Sequence, residues 1–129
     1  MIFQVSNIRL EVINSSNISF YPSSYNKALM NEVRFFTREL DEYTLVYFEL
    51  DVIKPEALKS LKPPKVDSTK GVVLSGRGPI WLYCYLVHHY HPTRFIAVYD
   101  PRIGAVVVES HWPGYSIGDI IKIHGEQIQ

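Results

Sequence analysis

The sequence predicts a single α/β domain with a mixed sheet, and three observations carry that prediction. Short runs rich in β-branched and aromatic residues recur at 33–38, 43–50, 71–75, 95–99 and 105–110, as strands do. Gly76-Arg77-Gly78-Pro79 separates one of these runs from an apolar segment long enough to be a helix. The connections are of two kinds. Leu40-Asp41-Glu42 and Arg102-Ile103-Gly104 are short enough to turn a strand back antiparallel. The unit from Gly71 to Tyr99 is strand–helix–strand, which pairs two strands in parallel through a right-handed crossover.

Composition bounds what such a domain can do. With 129 residues the chain is one domain's length and can bury a core without disulfide or structural metal. Thirteen basic and thirteen acidic residues cancel, so no global field recruits duplex DNA or an anionic membrane. Lys59, Lys62, Lys65, Lys70 and Arg77 face only Asp67 across their stretch, a local basic patch suited to a small polyanion. The single cysteine, Cys84, excludes an intrachain disulfide and a multi-cysteine zinc site. Its place in WLYCYLV predicts a buried small hydrophobe. No run reaches a membrane span and no secretory leader is evident, so a cytoplasmic setting is expected.

Taken in order, residues 1–29 are rich in Ser and Asn and poor in charge. Ile8, Leu10 and Val12 alternate with Arg9 and Glu11 before the turn residues Asn14–Asn17, which predicts a hairpin; Pro22-Ser23-Ser24 then reads as a linker. The chain therefore divides into a short N-terminal β extension, 1–29, and an α/β domain, 30–129. In the domain, Val33–Arg38 and Tyr43–Leu50 form a hairpin. Pro55–Leu61 is a short helix with Pro at its first position, stopped by Lys62-Pro63-Pro64. Gly71–Ser75 is a buried strand. The main helix has Gly78 near its N-cap and Pro79 at N1, and runs to His89 or Tyr90, because Pro92 disfavours helical geometry at His91. Phe95–Tyr99 and Ala105–Ser110 are antiparallel partners, and Gly118-Asp119 introduces a last strand, Ile120–Ile123.

The polar residues sit at the breaks. Ser75-Gly76-Arg77-Gly78 joins a strand to a helix N-terminus, where free N–H groups and the helix dipole suit a phosphate and Arg77 adds a bidentate contact. A tight turn explains the same residues, and both readings stay open. The loop is neither a Walker sequence nor a dinucleotide fingerprint. His88, His89 and His91 cluster at the helix end. His88 and His91 would share a face at i, i+3, suited to metal or acid–base chemistry, and His111 follows the return strand. Asp100 stands at the carboxyl end of a strand, where open α/β sheets bind ligands, although Asp-Pro is also an ordinary turn starter.

The stretch KGVVLSGRGPIWLYCYLVHHYHPTRFIAVYDPRIGAVVVESH, with YTLVYFEL and IKPEAL before it, resembles the Csx-three family of CRISPR-associated proteins, the Crn-three ring nucleases. The resemblance runs from about Val33 to Ile123 and leaves residues 1–29 outside it. Since Met30 stands just before it begins, 1–29 are also open to being upstream sequence translated from an early start assignment. The resemblance implies a Rossmann-like core distantly akin to CRISPR-associated sensor domains, homodimers, and Mn²⁺-dependent cleavage of cyclic tetra-adenylate, the messenger of type III interference. It implies Ser75, Gly76, Arg77, Gly78 and Arg102 as ligand-binding residues, His91 and Asp100 as catalytic, and His88, His91, Asp100 and His111 around the metal. Local departures are Pro92 and Arg94 beside His91, and Trp112-Pro113 after His111.

Topology adds a constraint. In a strand–helix–strand unit the helix runs back along the sheet, so the glycine loop and Asp100 belong at one edge and His91 and His111 at the other. A site using both His91 and Asp100 must then combine two copies, and head-to-tail stacking of that kind extends to tetramers or filaments. Two other functions stay open: a Mn²⁺-dependent 3′-deadenylating exoribonuclease acting on short oligoadenylate RNA, which the resemblance also implies, and a non-catalytic sensor of the cyclic messenger.

Overall fold

A computed structural model of the chain describes residues 32–123; the predicted N-terminal hairpin lies outside them. The elements are β1 (Val33–Glu39), β2 (Tyr43–Leu50), a 3-10 helix (Pro55–Lys59), β3 (Gly71–Gly76), α1 (Ile80–His89), β4 (Phe95–Asp100), β5 (Gly104–Ser110) and β6 (Ile120–Ile121). The strands form one six-stranded sheet in chain order. β1 is antiparallel to β2, and β4 to β5 to β6, while β2, β3 and β4 are parallel. The domain is therefore α/β with a mixed sheet, as expected. The parallel part has one strand more than the predicted pair, because residues 51–70 form a crossover ahead of the one through α1. That length suffices to return the chain along the sheet. Among the described strands the order never reverses, so the sheet is wound in one direction.

Each strand is placed by its alternation. Leu45, Val73, Phe95, Ala97, Ala105 and Val107 meet on one face, against Trp112 and Tyr115 of the C-terminal segment. Val46, Phe48, Val72, Leu74 and Ile96 meet on the other. That second face is covered by Leu82 and Leu86 of α1 and by Ile53, Leu58, Leu61 and Val66 of the first crossover. Both crossovers thus pack on the same face. Leu82, Leu86 and Phe48 are fully buried, each contributing about 1.5–3 kcal/mol of hydrophobic stabilisation.

Local chemistry departs from expectation in several places. Pro79 is the N-cap residue of α1 rather than its first helical residue, with ψ at 155°. Its carbonyl accepts from the amides of Leu82 and Tyr83, so the helix begins one residue later than predicted. Cys84 is exposed: two residues on from Leu82 is about 200° around a helix, which points it away from the sheet. The first crossover's helix is a 3-10 helix with Pro55 in its first turn. The predicted last strand has only two paired residues, Ile120 and Ile121.

The predicted basic patch also disperses. Lys70 precedes β3 and bonds Glu39 at 2.8 Å and the Leu40 carbonyl at 2.7 Å, whereas Arg77 follows the far end of the same strand. The strand between them is about 20 Å long at ~3.3 Å per residue. No helix among the described residues is long and apolar enough to cross a membrane.

Candidate functional site: two edges of one sheet

At the carboxyl edge of the parallel strands β3 delivers the glycine loop. Gly76 has a φ of +155°, and a Cβ there would lie 2.5 Å from the Phe48 carbonyl oxygen. Only glycine allows β3 to leave the sheet so close to β2. The Tyr83 hydroxyl, on the first turn of α1, donates to the Gly76 carbonyl, and its ring packs edge-on against Phe48 at 5.1 Å. Burial pushes the Tyr83 pKa well above the ordinary phenol value, so it remains a donor. Arg77 is exposed. Ser75 is not: its hydroxyl is enclosed and has no hydrogen-bond partner. A ligand on the loop would meet backbone and Arg77 before it met Ser75.

Asp100 ends β4 at the same edge, since Val98 pairs with Leu74 two residues before each strand finishes. One carboxylate oxygen accepts from the Arg102 amide at 2.9 Å and from its Nε at 3.1 Å; the other accepts from Nη2 at 2.9 Å. These bonds hold the Asp100 carboxyl below the ordinary carboxylate pKa and raise that of Arg102. The Asp100 carbonyl accepts from the Ile103 amide at 3.0 Å, so Asp100 also starts the β4–β5 turn.

At the amino edge three side chains from two parts of the chain, the end of α1 and the end of β5, converge. Helix α1 stops at His89. Tyr90 caps it, and the His91 amide bonds the His88 carbonyl at 3.2 Å in a tightened last turn. Buried Thr93 fastens the segment after the cap, its hydroxyl donating to the Tyr90 carbonyl at 2.7 Å. The His111 amide bonds the Arg94 carbonyl at 2.8 Å, extending the β4–β5 pairing past its end. His91 and His111 then lie with ring centroids 5.0 Å apart and planes at 87°. Glu109 joins them. One of its carboxylate oxygens contacts Nδ1 of His91 and lies 3.4 Å from Nε2 of His111.

Glu109 reaches that place through an irregularity. Ala97 pairs with Val107, but Ile96 pairs with Glu109, leaving Val108 as the extra residue of a β-bulge. Cross-strand partners share a face, so Glu109 lies on the Ile96 face, which is the helix side. Strict alternation would have put it beside Val107 on the opposite face. Bulges re-aim side chains in this way.

Residues 48–122 match the family described as CRISPR-associated protein (Cas_csx3). The chain belongs to that family. It is also 50% identical over 101 residues to an "Uncharacterized protein" of Aquifex aeolicus (strain VF5), the match covering 72% of this chain and 90% of that protein.

Within this Cas_csx3 family member, the residues singled out from the sequence fall into two groups. Gly76, Arg77, Gly78, Asp100 and Arg102 share the carboxyl edge; His91 and His111 share the amino edge. About 17 Å of β4 separates the two, at ~3.3 Å per residue. A metal set combining Asp100 with the histidines is therefore not assembled within one chain. Nor does His88 join His91: among the described residues the convergent metal-binding donors are those of His91, Glu109 and His111. His88 stays on the exposed last turn of α1, because the tightened turn after it carries His91 toward β5. His89 stacks on Tyr85 at 6.4 Å, away from the cluster. Glu109 does not stand out in the sequence. The one clue to it is a lone acidic residue two positions before His111 at the end of an apolar strand.

Proposed function

We propose that this CRISPR-associated protein is a metal-dependent phosphodiesterase that opens cyclic tetra-adenylate, with each site shared between two copies. The observation that carries this reading is the separation of its functional residues onto opposite edges of the sheet. If His91 and Asp100 both act, the amino edge of one copy must meet the carboxyl edge of another. That interface is heterologous and repeats head to tail. A two-fold symmetric ring would suit the paired loops of a homodimer.

The residues divide the work. At the carboxyl edge, the amides of the glycine loop, the start of α1 and the exposed Arg77 guanidinium bind phosphate oxygens. Arg102 keeps Asp100 ionised and oriented. At the amino edge His91 is exposed and steadied by Glu109, which suits it to take a proton from an attacking hydroxyl or return one to the leaving oxygen. Alternatively, the donors there fit a divalent cation that His91 and His111 would hold, and a His91 that ligates the cation does not also carry the proton. Bound Mn²⁺ would supply charge stabilisation and a more acidic water.

The deciding experiment is incubation with cyclic tetra-adenylate, with and without Mn²⁺, reading products by mass. Metal-dependent ring opening is expected. A cyclic-phosphate end would mean attack by the neighbouring 2′-hydroxyl, and a plain phosphate end attack by water. An intact ring in both arms would overturn the reading. Faster trimming of linear oligoadenylate would make the protein a deadenylase instead.

A further inference from the structure

We infer that Glu109 is the anionic ligand of a divalent transition-metal site that it forms with His91 and His111 inside a single chain, without Asp100 or His88. This rests only on the metal half of the proposed function.

Donor chemistry comes first. Two neutral imidazoles alone offer no charge and no oxygen to a cation of Mn²⁺ type, which prefers both. A carboxylate between them supplies what is missing. His91, Glu109 and His111 each offer a donor atom, and these atoms all lie within 4.8 Å of one another. The imidazole planes are near perpendicular rather than stacked, an arrangement that lets donor atoms point inward from different directions. Among the described residues, the ion-pair partners of Glu109 are these two histidines, with no lysine or arginine competing for it.

The scaffold adds a second argument. Each ligand's backbone is held independently: His91 by the last turn of α1 and the Thr93 clasp, Glu109 by its pairing with Ile96, His111 by the Arg94 carbonyl. The bulge at Val108 directs a carboxylate to the one end of the sheet where both imidazoles are waiting. Three protein donors on an open surface match the pattern of catalytic metal sites, which keep positions free for water or substrate. The side chains of His91 and His111 are 57% and 48% exposed, so those positions face outward, toward whatever docks on this edge.

The test is a titration of the full chain with Mn²⁺ alone, following disappearance of the free-ion EPR signal, with no nucleotide present. Wild type should bind one ion per chain. Glu109→Gln should weaken binding at least ten-fold, Glu109→Asp should fall between, and Asp100→Asn, on the far edge, should bind as wild type. Thermal melting of each variant checks folding, and Glu109→Asp keeps the test alive should Glu109→Gln fail to fold. Unchanged affinity in Glu109→Gln would overturn the inference and leave Glu109 as a residue that positions His91. Loss of binding in Asp100→Asn, or no binding by wild type, would overturn it as well. With no nucleotide in the assay, failure here and failure of ring opening are read separately.

Discussion

The two edges of the sheet are built in different ways. The carboxyl edge brings together two pieces that are each held locally: Gly76, Arg77 and Gly78 are neighbours in sequence, and Asp100 is bound by Arg102 two residues away. The amino edge is assembled from the end of α1, the end of β5 and the residue after it, and depends on a bulge to turn Glu109. The contrast also assigns roles. The edge where Arg102 neutralises Asp100 is furnished for anionic ligands, and the edge with a carboxylate between imidazoles for a cation.

The sharpest way to break this comparison is to inactivate one edge in each of two proteins. His91→Ala should lose about 10²–10⁴-fold in ring opening, the range for removing an acid–base group, and Asp100→Ala should also lose most of its activity. Mixing them should restore a readily measured fraction, because an interface between the two variants carries one intact copy of each edge. If mixed samples stay as inactive as the separate ones, the site is not shared between copies.

A smaller effect should come from Gly76→Ala. A Cβ 2.5 Å from the Phe48 carbonyl oxygen at a φ of +155° requires the backbone to shift, costing about 1–3 kcal/mol. The expected result is a drop of several degrees in melting temperature together with loss of cyclic tetra-adenylate binding. Mn²⁺ binding at the other edge should hold, since sites this far apart act nearly independently. Simultaneous loss of both would show that the edges are coupled.

Arg102→Ala should have the smallest effect on stability. The Arg102 side chain is 85% exposed, so solvent screens the pair and it adds little to stability. Its sign is nevertheless fixed. Asp100 has a depressed pKa in the folded state, so its contribution is present above the ordinary carboxylate value and disappears as pH falls through the depressed one. Replacing Arg102 should return Asp100 toward the ordinary carboxylate range, visible in an NMR titration of its carboxyl carbon. In the wild type, any loss of activity above about pH 5 then cannot be assigned to Asp100, whose ordinary value is about 3.9. An unmoved Asp100 titration in the variant would mean that Arg102 does not hold it.

How far the chain can be read depends on which interactions are local. Alternation and turn residues locate the β1–β2 and β4–β5 hairpins, the buried β3 and the helix between the glycine loop and Pro92. Chain direction then separates the glycine loop and Asp100 from His91 and His111. The first crossover is harder to see: its 3-10 helix is five residues long, too short to show a period, and its packing residues are scattered between prolines. Cys84 is misplaced by the sequence because the run around it is apolar on all sides, so periodicity cannot tell the sheet-facing side of α1 from the exposed one.

Glu109 marks the limit most clearly. By itself the sequence determined the strand–helix–strand order, the residues at each break and therefore the division of His91 from Asp100, all consequences of local propensity and of chain direction. Only the tertiary structure decided that Val108 bulges and that Glu109, rather than Asp100 or His88, lies between His91 and His111. A bulge is a property of two strands' register and inverts the side-chain alternation beyond it. No single-strand pattern contains that information.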